Sequence, residues 1–265
     1  MKFTPKLPDE HVNHPKERFL LQALKLVVAL AVIVGAVYGV LLFGVDYTIS
    51  HLTPRQEQRL MKLVRVDFDM QQAKKSEYLQ RVTDKLATCA KLPYDIRTYI
   101  LDVDMINAFA LPGGTIMITR GMLVRLQNEN ELASVIGHEI GHFKHKDHLR
   151  GLGKSLVAGV ISMLVAENYG PLFGTTLQVA NAKYSQSQEL DADLYGIDLL
   201  ACAYGNAVGA TGLFERMDKG EKWKYFLASH PDFGKRVATM RAYIRKKGYK
   251  SDGEPITLEP IVFKR

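Results

Sequence analysis

The sequence predicts a mainly helical chain with one small β-rich insert and one apolar tether, and three stretches carry that prediction. Leu26 to Val45 is an unbroken apolar run. Ile96 to Thr119 shifts to a β-like period around Pro112-Gly113-Gly114. Asn130 to His148 repeats apolar or small residues at Leu132, Val135, Ile136, Ile140 and Phe143, the three-and-four spacing of an amphipathic helix.

A length of 265 residues allows one ordinary domain with an appendage, or two small domains. Hydrophobic content of 47% with 24% charged residues is that of a folded chain and excludes a disordered one. The formal charge of +7 would suit nucleic acid or anionic lipid. The basic residues are scattered, however, and no aromatic-interleaved basic patch accompanies them. We therefore read the charge as solubility and membrane proximity, with no nucleic-acid partner. Two cysteines, Cys89 and Cys202, are too few for a Cys-rich zinc module. They can pair in an oxidising compartment or remain two buried thiols.

Residues 1–25 form a polar tail in which Pro5, Pro8 and Pro15 oppose regular structure. Residues 26–45 follow as a transmembrane anchor: twenty residues without a charge, at about 1.5 Å each, cover roughly the 30 Å of a bilayer core. A cleaved signal would have a shorter apolar region and a small-residue cleavage site, whereas this run continues into Asp46-Tyr47-Thr48. Lys6, Lys16, Arg18 and Lys25 before the span are balanced by Arg55, Arg59, Lys62 and Arg65 after it. The expected arrangement is a single pass with a short tail inside and the large domain outside, on the periplasmic side of a bacterial inner membrane.

Residues 46–92 read as a helical membrane-proximal region. Its apolar positions are Leu60, Leu63, Val64, Val66 and Phe68, then Tyr78, Leu79, Val82 and Leu86, and Pro93 ends the run. The main domain occupies residues 93–250, with a tail over 251–265. Within the domain, Ile96 to Val103 reads as a strand, and the segments flanking Gly113-Gly114 as a hairpin or tight sheet connection. An edge of that sheet can pair with an extended peptide through main-chain hydrogen bonds, or the hairpin is purely structural. Gly121 to Leu126 leads into the central helix. Ser155 to Ala166 is apolar but too short to span a membrane as a helix, and reads as buried. Tyr169 to Gly174 is a breaker, and a second helical pattern begins at Gln178.

The central helix carries the chemistry. Asn130 suits the N-cap, and Glu131 suits the positive end of the helix dipole. His138 and His142, four residues apart, lie about 40° apart on one face. Two imidazoles so placed can hold one tetrahedral zinc, while Glu139, rotated off that stripe, can reach a water at the open position as a base. Two such histidines are more often neighbours on an ordinary helix face, so the other ligand decides. Glu189 and Asp193, one turn apart on the second helix, provide an oxygen ligand and an acceptor for the outer nitrogen of a ligating imidazole. His145 and His148 are the rivals for third ligand. Continued helical geometry turns His148 about 80° off the stripe, and His145 lies near the stripe but a full turn beyond His142. Both read as helix-end cations or gate residues, and Glu189 is preferred.

These residues resemble the zinc peptidases of the HtpX and CAAX-prenyl-protease type, of the gluzincin clan. The likeness runs from about Leu101 to Arg236. It rests on Asn107-Ala-Phe-Ala-Leu-Pro-Gly-Gly114, Gly137-His-Glu-Ile-Gly-His142, Glu189 with Ala192-Asp193 and Gly196, and His230-Pro231 with Arg236. The chain departs from the family in having Gln186 where an arginine is usual, and in having one apolar span rather than several. The resemblance implies an α+β, mainly helical, zincin-type fold with a small sheet beside the zinc helix. It also implies a substrate cleft bordered by Asn107, Ala108, Phe109 and Ala110, and catalytic or gating roles near the site for His230 and Arg236.

The expected function is a membrane-anchored zinc endopeptidase with one Zn2+ per chain, bound by His138, His142 and Glu189. Glu139 is the base, Asp193 the supporting acceptor, and His230 or Tyr195 the oxyanion donor. Polypeptides are the substrates, misfolded or membrane-associated proteins in envelope quality control. The alternative is a membrane-anchored chaperone or adaptor whose zinc site is latent or structural.

Overall fold

The computed structural model describes residues 19–56, 59, 73–111, 113–154, 157, 184–217, 226, 230 and 233–261. The apolar run at 155–166 (residue 157 excepted), the breaker at 169–174, the helix start at Gln178 and the apolar positions from Leu60 to Phe68 lie outside the described residues. Contacts divide the chain at Gly44 into a short N-terminal unit and a larger one from Val45 onward.

Helix α1 spans Phe19–His51 and contains the whole of the expected span. It begins earlier and ends later than 26–45 because neither Lys25 nor Asp46 breaks a helix. Its side chains are largely exposed, Leu26 and Phe43 both 73% so. In length and composition Leu20–His51 suits a membrane crossing.

The membrane-proximal region is not purely helical. Strand β1 (Ala73–Lys75) precedes helix α2 (Glu77–Ala90). The three residues of β1 carry no readable period, and tertiary pairing makes them a strand: β1 runs antiparallel to β2 (Arg97–Leu101) with Ala73 opposite Leu101. In α2, Ser76 caps the start by accepting from the Leu79 N–H. Tyr78, Leu79, Val82 and Leu86 are buried as their spacing predicts. Lys91 ends the helix in the left-handed region, ahead of Pro93.

Strands β3 (Ala108–Leu111) and β4 (Thr115–Thr119) form the expected hairpin, turning through Gly113 and Gly114 at φ of 85° and 79°. A Cβ on Gly114 would sit 2.3 Å from the Asp95 carbonyl oxygen, so both backbone conformation and space require glycine. Strand β4 pairs in parallel with β2, giving the order β1-β2-β4-β3. Among the described residues, β3 is therefore an edge strand. The short helix α3 (Arg120–Leu123) follows β4 directly.

Helix α4 (Glu129–Lys144) is the buried centre of the domain. Its cap is Asn128, whose extended backbone lets its side chain accept from the Glu131 N–H. Asn130, the residue the sequence favours, lies inside the first turn and instead accepts from the Ile256 N–H. Helix α5 (Gln186–Tyr204) opens with a capping box between Ser185 and Gln188 and ends at Gly205. It crosses α4 at backbone contact: a Cβ on Gly137 would lie 3.2 Å from the Gly196 Cα, and one on Gly141 only 2.7 Å from the Ala192 Cα. Small residues one turn apart on both helices thus bring the two chemical motifs together. A Cys89–Cys202 disulfide ties α2 to the far end of α5, which settles the open reading of the cysteines.

Helices α6 (Gly212–Met217) and α7 (Phe233–Lys247) complete the core. Residues 250–256 do not hang free. Lys250 accepts from the Ala207 N–H, and Ile256 accepts from the Glu129 N–H, laying an extended strap over the start of α4.

Candidate metal centre and active site

Helix α4 carries His138, Glu139 and His142, and α5 carries Glu189 and Asp193; all five are buried. His230 and Arg236, from the chain leading into α7 and from α7 itself, join them from a third direction, also buried. One ligand atom from each of His138, His142, Glu189 and His230 falls within 4.8 Å of the others.

The distances within this group are those of a coordination shell. The two Nε2 atoms of His138 and His142 are 3.1 Å apart. Glu189 Oε1 lies 3.4 Å from His142 Nε2, and Oε2 lies 3.7 Å from His138 Nε2. Ligands on a tetrahedral zinc, with bonds of about 2.0–2.1 Å, are spaced about 3.3 Å from one another. The donor set therefore fits zinc. Glu139 supplies the second test: both its carboxylate oxygens are buried and have no hydrogen-bond partner among the described residues. A buried carboxylate without a protein partner, beside converging donors, is one that a bound cation or its water would satisfy.

Each imidazole has its own carboxylate. His138 Nδ1 lies 2.8 Å from Asp193 Oδ1, and His142 Nδ1 lies 3.1 Å from Asp147 Oδ2. With Nδ1–H donating outward, both Nε2 lone pairs face the shared centre. Arg236 grips Asp193 through Nε (2.7 Å) and Nη2 (2.8 Å), and its Nη1 lies 2.6 Å from Glu189 Oε2. His230 Nδ1 is 2.9 Å from Glu189 Oε1 and 3.3 Å from His138 Nε2.

The electrostatics follow from this packing. Burial pushes the Glu189 carboxyl up, but the neighbouring His230, His142 and His138 outweigh it and hold it well below the usual carboxylate range. Burial likewise opposes the charged form of Asp193, yet hydrogen bonds from His138 and Arg236 hold its pKa down. Burial pushes His138 down. For His142, burial is outweighed by bonding to Asp147 and Glu189, which pushes it up to about 10.

Of the other sequence candidates, Asn107 is buried at the head of β3, and Ala108, Phe109 and Ala110 lie along that edge strand, which packs against α4. Tyr195 points elsewhere, its hydroxyl donating to the Ala90 carbonyl at 3.0 Å. That leaves His230 as the nearer of the two oxyanion-donor candidates. His145 becomes the C-cap of α4, and buried His148 lies against the His142 carbonyl; neither joins the donor group. Sequence reasoning missed Asp147, Gln188 and Tyr184, whose ring stacks on His142 at 4.0 Å. The signal for Tyr184 was its place one residue before the α5 cap; for Asp147 no period gives one.

Residues 73–244 match the profile described as Peptidase family M48. The chain belongs to peptidase family M48. The match begins at β1 and ends within α7, so it takes in the sheet, the two helices that carry the His/Glu group, and Arg236. Zinc is the cofactor of this family, and the buried His/Glu group is one that could hold it here. The mitochondrial metalloendopeptidase OMA1 of Arabidopsis thaliana is 29% identical over 141 residues, covering 52% of this chain and 29% of the relative. Metalloprotease LoiP of Escherichia coli (strain K12) is 27% identical over 190 residues, covering 66% of this chain and 74% of the relative. The putative beta-barrel assembly-enhancing protease of Vibrio cholerae is 26% identical over 195 residues, covering 64% and 39%. The chain thus spans under half of the plant and Vibrio relatives and about three quarters of LoiP.

Proposed function

We propose that the chain is a membrane-anchored, zinc-dependent endopeptidase that cleaves misfolded or membrane-associated polypeptides. The observation that carries the reading is the convergence of His138, His142 and Glu189 at ligand spacing beside the orphan Glu139 carboxylate.

Zinc in that group would supply Lewis acidity toward the scissile carbonyl and activate water near pH 7. Glu139 accepts the water proton on its free carboxylate and returns it to the leaving amine. Asp193 and Asp147 keep the two imidazoles in the tautomer that points Nε2 inward. Arg236 holds the Glu189 and Asp193 carboxylates in place and offsets their charge. His230 is the candidate donor to the developing oxyanion. The segment from Asn107 to Ala110, at the edge strand β3, borders the cleft that takes the peptide.

The long apolar helix α1 supports anchoring. The Cys89–Cys202 disulfide supports an extracytoplasmic domain, because such bonds persist in oxidising compartments. A role in envelope quality control draws support from the likeness to the Vibrio beta-barrel assembly-enhancing protease. The test is cleavage of an unfolded protein such as casein by the full-length chain, with chelator and after zinc is restored. Chelator-insensitive cleavage, or none with zinc fully bound, would refute the reading.

One observation favours the second reading, a latent site. His230 stands close enough to the other three donors to complete a four-ligand set, which would close the position that water needs.

A further inference from the structure

The turn that follows α4 is built unlike the rest of the site. Lys146 adopts a left-handed backbone with φ of 58°, which a lysine does not favour. Its side chain is held in return: Nζ donates to the Ile49 and Leu52 carbonyls, at 3.2 and 2.6 Å, at the C-terminal end of α1. This reversal swings Asp147 back under His142. Both Asp147 oxygens are then used, Oδ2 at His142 Nδ1 and Oδ1 accepting from Gln188 Nε2 at 2.7 Å. Gln188 is the capping-box residue of α5 and the neighbour of Glu189. Asp147 therefore joins the end of one metal-bearing helix to the start of the other.

A third connection leads outward. Arg150 lies 3.5 Å from Asp147 Oδ1, donates to the His145 carbonyl, and donates through Nε to Asp46 at 2.6 Å. Asp46 is the first charged residue after the apolar run. The same stretch of α1 is packed against the helical residues 147–154, since a Cβ on Gly153 would meet the Val45 side chain at 2.4 Å. Residues 45–52 thus hold the turn that holds Asp147.

We propose that Asp147 is the positioning carboxylate of His142, and that the end of α1, through Asp46–Arg150 and the carbonyls gripped by Lys146, sets that carboxylate. The juxtamembrane turn is then a working part of the metal site rather than a passive tether. The inference rests on the zinc reading above. Asp147 is 1% exposed, so its contribution is large. The Asp46–Arg150 pair is partly exposed, and its contribution is smaller.

The test measures zinc affinity of the full-length chain in detergent by competition with a chromogenic chelator, alongside thermal melts. Asp147→Ala weakens zinc binding by about 10- to 100-fold. Asp147→Asn recovers part of that loss, because the amide oxygen still accepts from His142. Asp198→Asn serves as the control for general loosening: it removes bonds from Tyr243 and Tyr249 on the outside of α5 and leaves zinc affinity unchanged. Asp46→Asn weakens binding a few-fold, and its effect is not additive with that of Arg150→Gln. Wild-type affinity in Asp147→Ala and Asp147→Asn overturns the assignment. Strict additivity, or no effect of Asp46→Asn, overturns the role of α1. If the wild-type chain holds no zinc, or Glu189→Ala holds it as well, the zinc reading itself fails and takes this inference with it.

Discussion

Gly141 and Ala192 touch backbone to backbone: a methyl group added to Gly141 would stand 2.7 Å from the Ala192 Cα and 2.8 Å from its carbonyl oxygen. Neither of those atoms belongs to a flexible side chain, so the helices must separate to admit one. Gly141→Ala is expected to cost about 1–3 kcal/mol of stability through overpacking. It also weakens zinc binding, because His142 and Glu189 ride on the two helices that move apart. Gly137→Ala, with its nearest atoms at 3.2 Å, should be milder. Melting and zinc titration of both variants check this; an undisturbed Gly141→Ala protein would show that the crossing yields.

Glu139→Gln should keep its zinc and lose proteolysis by about 100-fold or more, the usual contribution of a general base. Metal analysis beside a casein assay reads both quantities on one sample. Full activity in a clean preparation removes Glu139 from the proton-transfer role.

His230 separates the two functional readings. With an oxyanion donor at that position, His230→Ala retains zinc and loses about 100- to 1,000-fold in kcat. A rise in activity would instead identify the ring as the group that keeps the site shut.

Arg236 is 4% exposed and holds two carboxylates. Its replacement by Gln leaves buried charge uncompensated, at a cost of about 3–5 kcal/mol. The pH dependence follows from Asp193. Its folded pKa is depressed, so its stabilising contribution is present above the unfolded value of about 3.9 and is lost as pH falls through the lower folded value. Removing Arg236 shrinks the depression, and acid unfolding of the metal-free protein moves to higher pH. Circular dichroism against pH measures the shift; an unmoved midpoint would count against the pairing.

The Cys89–Cys202 bond closes a loop of sequence separation 113. Loop-closure entropy alone gives about 4–5 kcal/mol for a loop of this size. Cys89→Ser with Cys202→Ser should therefore lower the melting temperature by about 10 °C or more in a domain of this size. A melt unchanged by reductant in the wild-type chain would contradict it.

What could be read from sequence follows the range of each interaction. His138 and His142 are set by local helical geometry, and any reader of the chain finds them. Glu189 and Asp193 required a second helix to arrive from far along the chain, and it was their one-turn spacing, paired with the first motif's need for a third ligand, that joined them to it. The small residues that make the crossing possible, Gly137, Gly141, Ala192 and Gly196, are visible in sequence but say nothing of their partner. The cap falls at Asn128 rather than at the expected Asn130, because it is the backbone at Asn128 that is extended. Asp147 could not be found because its position depends on a left-handed lysine, and lysine gives no signal of that conformation. The strand at Ala73–Lys75 is made by its neighbour, not by its own residues.

The strap over the start of α4 has a temporal consequence. Ile256 satisfies both the Glu129 N–H and the Asn130 side chain, and Arg81 on α2 meets Glu259. During synthesis these partners wait unpaired until residues 250–259 have left the ribosome. The start of the helix that bears the histidines is thus fastened only once a segment more than a hundred residues further along has been made.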